Sequence, residues 1–292
     1  MSGPTANVVL PTRPRPIRLG VVSFVNTLPL IDGLERLADV ELRHSVPSLL
    51  LEQLCSGRID VGLCSSIDYQ RSTTPLVILP AGLLGCDGPT LTVRLYSSGP
   101  IDRLRRVYCD TDSHTSIALM RILLKELHGL EPELIDYDAR EHMARNRRID
   151  WPEAMLLIGD KVVIDSPPVS RYPHQLDLGA AWVECTGMPF VFALWLVRRP
   201  DSPEEAARAA TAAAVLDRQR RYNRSRLDGI IYRRARPRRW PIDLAGTYLK
   251  DNLAYAFTPQ RRAALELFFD KAHRHGLIAE RRPLDFLDPL SG

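Results

Sequence analysis

Short apolar runs bounded by turn residues alternate along this chain with stretches whose apolar positions recur at helical spacing. IRLGVVSF (17–24), IDVGLCS (59–65), PLVILPAG (75–82) and AMLLIGD (154–160) are nearly continuous apolar runs, a pattern that suits strands covered on both faces. VELRHSV, LTVRLYS, RRVYCD, ELIDYD and the long PFVFALWLVRR (189–199) add further strands. Between them fall helical patterns at Leu28 to Leu37, PSLLLEQLCSG (47–57), TSIALMRILLKELHG (115–129) and a further stretch between ELIDYD and AMLLIGD. Pro47 suits the first turn of its helix, and Gly57 and Gly129 suit the residue just past a helix end. From Pro203 onward the chain reads as helices, with no strong strand signal.

Strand and helix in alternation predict an α/β protein with parallel sheets, and 292 residues are enough for two domains. Ser98-Gly99-Pro100 breaks the first alternating set from the second. The expected architecture is two-lobed: a disordered, proline-rich leader over 1–16, a first lobe from 17–97 plus 200–292, and a second from 98–199. LTVRLYS and PFVFALWLVRR would be the two crossings. Ligands in such folds sit beyond the carboxyl ends of strands and between domains.

The formal net charge of +4 is local rather than global. Residues 217 to 240 hold ten Arg and two Asp, leaving 29 basic against 33 acidic groups elsewhere. Tyr222, Tyr232 and Trp240 are interleaved with these arginines, as in a nucleic-acid surface, but no nucleic-acid motif accompanies them and a solvated helix face is the expectation. Five scattered cysteines with no CxxC pair read as reduced thiols rather than disulfides or a zinc site. No apolar run reaches the ~18 residues a membrane span needs, and the N-terminus lacks the basic and apolar regions of a signal peptide. The expectation is a cytoplasmic protein with no membrane, nucleic-acid, metal or cofactor partner, either monomer or homodimer. GxGxxG, GxxxxGK[ST], HExxH and GxSxG are all missing, which removes the main support for nucleotide, kinase, zinc-protease and esterase functions.

Four strand ends carry candidate chemistry. Asn26, after IRLGVVSF, can donate and accept at once, and can equally cap a helix. Ser65 and Ser66, after IDVGLC, put two hydroxyls at a helix start, where free N–H groups hold an anion without Lys or Arg; simple capping is the alternative. TDSHTS (111–116) is the strongest local signal, because Ser113, Thr115 and Ser116 crowd one helix start while a plain cap needs only one of them. His114 within it shows no Asp or Cys partner in sequence. Asp160, after AMLLIG, could orient a hydroxyl or cap the next turn.

In this order, GVVSFVNTLPL, GRIDVGLCSSIDY, VYCDTDSHTSIALMRILL, LLIGD and LDLGAAWVECTGMPFVFALW resemble the chorismate dehydratase family of menaquinone biosynthesis by the futalosine pathway. The resemblance runs from Ile17 to Trp195 and weakens in the tail. It implies a two-lobed, periplasmic-binding-protein-like fold with the ligand cleft between lobes, and a cofactor-free elimination of water from chorismate giving 3-[(1-carboxyvinyl)oxy]benzoate. It also implies catalytic or orienting roles for Asn26 and Asp160. Ser65, Ser66, Thr92, Ser113, His114, Thr115, Ser116 and Met188 would bind the substrate, with its two carboxylates held one on each lobe. His114 stands where relatives often have Arg, Phe24-Val25 replaces a Tyr-Leu type pair, and Lys161-Val162-Val163 replaces small residues. Two other readings remain: a naphthoate-synthase-type lyase of the same pathway, and a non-catalytic small-anion-binding protein.

Overall fold

The computed structural model describes residues 15–139 and 151–287. Apart from Arg15 and Pro16, the expected leader lies outside the described residues, as does most of the helical stretch expected between Asp138 and Ala154. The strands are β1 (Ile17–Val21), β2 (Val40–His44), β3 (Val61–Ser65), β4 (Leu76–Cys86), β5 (Val93–Ser97), β6 (Arg106–Asp110), β7 (Glu133–Tyr137), β8 (Ala154–Ile158), β9 (His174–Asp177), β10 (Phe190–Arg198) and β11 (Leu253–Ala254). They form two sheets, ordered β11-β4-β10-β3-β1-β2 and β7-β6-β8-β5-β9. Helices on both faces complete two lobes with the expected α/β layering.

Neither sheet is purely parallel, which corrects the first expectation. β1 runs parallel to β2 and β3, but β10 lies antiparallel between β3 and β4. In the second sheet β6 runs parallel to β7 and β8, while β5 is antiparallel to β8 and β9. The cause is topological: a chain arriving from the other lobe enters at the cleft, where the parallel strands end, and so runs against them. The crossings also shift. β5 belongs wholly to the second sheet and β10 wholly to the first, so the chain passes between lobes in the loops just before these strands, not along them. The tail contributes one short strand, β11, paired with β4, and a bridge from Phe286 to Ile78.

Helix Pro203–Arg224 sets Ala209, Ala212 and Leu216 against Leu19, Val61, Leu63 and Trp195 on the first sheet. Its Ser202 cap accepts from the Glu205 N–H, which satisfies one of the free donors of the first turn. Helix Pro259–Arg274 packs on β10 and on helix His114–His128 of the second lobe. Phe268 from it meets Phe190 at 4.9 Å and Trp182 at 6.0 Å, edge to face. One apolar cluster therefore runs through both lobes, and each large side chain buried in it adds about 1.5–3 kcal/mol. This continuity holds the strand ends of the two lobes opposite each other.

Candidate active site between the lobes

The ends of β1, β3, β6 and β8, the start of β5 and one turn of the tail enclose a cavity of about 570 Å³, part of it open to solvent. Its polar wall is Asn26, Ser65, Thr90, Thr92, Ser113, Ser116 and Tyr248, and its apolar wall includes Phe24, Leu84, Ile158 and Phe192. Among the described lining residues there is no Lys, Arg, His, Asp or Glu. An anion held here is held by hydroxyl and amide groups, as the strand-end serines imply.

Asn26 sits in a 3-10 turn, Val25–Thr27, that begins where the chain leaves β1. The Thr27 hydroxyl donates to the carbonyls of Val22 and Phe24 and pins that turn. Asn26 and Tyr248 both line the cavity, and the Asn26 Oδ1 is buried with no hydrogen-bond partner. Tyr248 opens a π-helical turn, Tyr248–Asn252, and stacks on Trp240 at 5.0 Å. Its hydroxyl also meets Thr92 Oγ1. Burial pushes the phenol well above its ordinary range, against the hydrogen bond it shares with Thr92, so it is protonated at neutral pH.

On the facing lobe, Ser113 caps helix His114–His128: its Oγ accepts from the Ser116 N–H at 3.2 Å and lies 2.9 Å from Ser116 Oγ. Beneath this loop Lys161 is buried with Nζ 2.5 Å from Asp110 and 2.8 Å from Asp112. Asp110 also accepts from the N–H groups of Asp112 and Ile158. Burial raises its carboxyl above the ordinary value, although Lys161 opposes the rise. The salt-bridged triad ties the end of β6 to the end of β8 and fixes the loop that carries Ser113 and Ser116.

Five expected site residues do not line the cavity. Ser66 and Thr115 are fully buried; Ser66 donates to the Val191 carbonyl at 2.8 Å and lies 3.3 Å from Thr115 Oγ1, which accepts from the Ile67 N–H. His114 Nδ1 lies 2.8 Å from Oδ1 of buried Asp68, a partner 46 positions earlier. Asp160 accepts from the Val25 N–H at 3.0 Å. Met188 is half-buried, and its N–H donates to Thr186 Oγ1. The first four tie the first lobe to the second. Two polar lining residues, Thr90 and Tyr248, were not anticipated.

Closure also explains a glycine. Gly159 has φ +69°, and a Cβ there would stand 2.9 Å from the Phe24 ring across the cleft. Gly159→Ala is therefore expected to cost about 1–2 kcal/mol in urea unfolding and to raise KM severalfold by parting Phe24 from the second lobe. The arginine-rich segment stays outside. Arg234 pairs with Asp32 and Glu35, Arg220 and Arg221 with Asp217, and Arg239 with Asp165.

Two sheets, each with an antiparallel strand entering from the other lobe, and a cavity at the strand ends define a periplasmic-binding-protein-like fold. Solved structures share it. A Candida albicans gene product with the generic periplasmic binding protein fold superposes with a TM-score of 0.62 at 11% identity, covering 91% of this chain and 92% of that one. A protein from Archaeoglobus fulgidus gives 0.59 at 18% identity, covering 91% of this chain and all of that one. The periplasmic aliphatic sulphonate binding protein of Escherichia coli gives 0.59 at 16% identity, over 92% and 95%. Within that fold, the model of the menaquinone biosynthesis family matches residues 17–274, and the chain belongs to that family. It is also 34% identical over 206 residues to a Thermus thermophilus protein named chorismate dehydratase, covering 66% of this chain and 73% of that one.

Proposed function

We propose that the protein is a chorismate dehydratase, a carbon–oxygen hydro-lyase that converts chorismate to 3-[(1-carboxyvinyl)oxy]benzoate for menaquinone biosynthesis. The family match and the Thermus relative support the activity. The observation that carries the mechanism is a cavity whose polar wall is amide and hydroxyl, with no described carboxylate or imidazole facing the ligand. Chorismate is a dianion whose ring becomes aromatic once the C3 proton and the C4 hydroxyl leave. The chemical drive lies in the substrate, and the site has to orient it and exclude water.

Ser65 on the first lobe and Ser113 and Ser116 on the second present hydroxyls to the two carboxylates. Asn26, with its unpaired Oδ1, faces the reacting carbons. Tyr248 is the one titratable residue among the described lining, and burial keeps it protonated. The C3 proton therefore passes to the substrate's own enolpyruvyl carboxylate, which hands it to the C4 hydroxyl as the C4–O bond breaks, so that one water leaves, the ring becomes aromatic and the carboxylate is regenerated. Asp160 acts from behind, by holding the Val25 N–H and with it the turn that carries Asn26.

We place the enzyme in the cytoplasm, where this biosynthetic substrate is made; no described helix is long and apolar enough to cross a membrane. Incubating the purified chain with chorismate and following the aromatic product by absorbance and chromatography tests the reading. Product should accumulate with one water lost per turnover. Chorismate that is bound but recovered unchanged would make this a binding protein instead.

A further inference from the structure

We propose that the basic tail of the chain forms a second binding site, for a small organic oxyanion with an apolar body, and that this site is linked to the first through a shared wall. The second cavity, of about 1130 Å³ and part of it open to solvent, is lined by four cations, Arg220, Arg224, Lys250 and Arg261, and by one carboxylate, Asp228. The first cavity has the opposite chemistry, with hydroxyl and amide groups and no charged side chain among its described lining. Arg220 and Arg224 belong to the arginine-rich segment, for which the proposed reaction has no use.

The cations differ in how they are held. Arg220 and Arg261 are 14% and 15% exposed and fixed in place. Arg220 Nε donates to the Ala81 carbonyl and its guanidinium pairs with Asp217, while Arg261 donates to the Ala256 carbonyl and pairs with Asp87. Lys250 pairs with Asp228, whose side chain is 88% exposed, and a pair so open to water contributes little and yields to a ligand. Arg224 is exposed and makes no hydrogen bond or ion pair among the described residues. Two cations are therefore available to close on an oxyanion, which a guanidinium meets with two parallel N–H donors. Pro29, Leu227, Leu249 and Leu253 give the rest of the molecule an apolar wall. The segment's exposed aromatics, Tyr222 and Tyr232, lie outside the described lining, where stacked bases would need them.

Leu253 lines both cavities. Within the π-helical turn Tyr248–Asn252, Tyr248 lines the first cavity, and Leu249 and Lys250 line the second; such turns are rare and concentrate at functional sites. The chain after β1 repeats the arrangement, with Asn26 on the first cavity and Pro29 on the second. An anion that draws Lys250 toward it therefore acts on the turn that carries Tyr248.

Phenyl phosphate and benzoate present the two common oxyanions on the same ring. Titrated calorimetrically into purified full-length protein, at least one should bind, and the tighter of the two identifies the oxyanion the site takes. Replacing two exposed side chains, Arg224→Gln with Lys250→Gln, should weaken that binding about tenfold or more, the scale of a lost charge-assisted hydrogen bond. Saturating probe should also shift the affinity of the wild type for 3-[(1-carboxyvinyl)oxy]benzoate about fivefold or more, a shift the double variant should lose. Failure of both probes to bind overturns the proposal. Affinity that survives the double substitution overturns it too, and a fall in Ser113→Ala would then place the probe in the first cavity. Tighter binding of a single-stranded oligonucleotide than of either probe makes the patch a nucleic-acid surface instead, and an unmoved affinity for the benzoate product overturns the link. The inference goes beyond the proposed reaction and does not depend on it: wild-type protein that leaves chorismate unchanged, yet binds the probe through Arg224 and Lys250, loses the reaction and keeps the site.

Discussion

Asn26→Ala is expected to lower kcat for chorismate about a hundred- to a thousandfold, the range seen when one preorganised group facing the reacting atoms is removed. Stability should move the other way or not at all. Oδ1 is buried without a hydrogen-bond partner, and deleting an unsatisfied polar atom relieves its desolvation cost. The turn keeps its shape, because Thr27 and the Asp160 contact to Val25 hold it without the amide. A urea midpoint equal to or above wild type, together with a collapsed kcat, marks Asn26 as a residue retained for chemistry. Near wild-type turnover would remove it from the mechanism, and a large loss of stability would make its role architectural.

The second large effect is structural. Lys161→Met removes the ammonium that Asp110 and Asp112 both contact in a buried setting, where breaking such a pair typically costs about 3–5 kcal/mol. The pH dependence has a definite sign. Asp110 already has a folded pKa above its ordinary 3.8 because of burial, with Lys161 opposing the rise. Its contribution to stability is present below that ordinary value and is lost as pH rises through the folded pKa. Removing Lys161 lifts the folded pKa further, so the loss at neutral pH deepens, while in acid Asp110 takes up a proton in both proteins and the gap narrows. Urea unfolding at pH 7 and pH 4 measures this, and a variant equally destabilised at both would contradict it. Lys161 was legible in sequence only as a departure from small residues; its burial makes it the keystone of the Ser113–Ser116 loop.

The apolar runs were readable because a strand covered on both faces needs them: β1, β3, β8 and β10 fall inside the runs that announced them, and β4 begins in its run and continues to Cys86. Strand direction was not, since a buried strand looks the same whichever way it runs, and so β5 and β10 were expected to span the lobes. β9, His-Gln-Leu-Asp, has no apolar run and only partial burial, and gave no signal. In the site, Asn26, Ser65, Ser113 and Ser116 were legible because strand ends meet at the cleft. Ser66 and Thr115 were legible as hydroxyls at helix starts, but whether a hydroxyl faces a ligand or the opposite lobe depends on packing. The Asp68 partner of His114 and the place of Tyr248 are joined to the site only by the folded chain. Trp240 and Tyr248 offered a clue in hindsight, as two aromatics eight positions apart beside a segment too polar to bury them otherwise.

The position of β10 between β3 and β4 bears on the order in which the chain can be assembled. β3 and β4 are complete by Cys86, yet their shared neighbour begins at Phe190. A ribosome must deliver the entire second sheet, whose strands run without interruption from Val93 to Asp177, before the first can close. Until then β3 and β4 present unpaired edges, the kind of surface that invites pairing with another chain. The long-range contact is slow to form, and the second lobe is the part able to fold from what has already emerged.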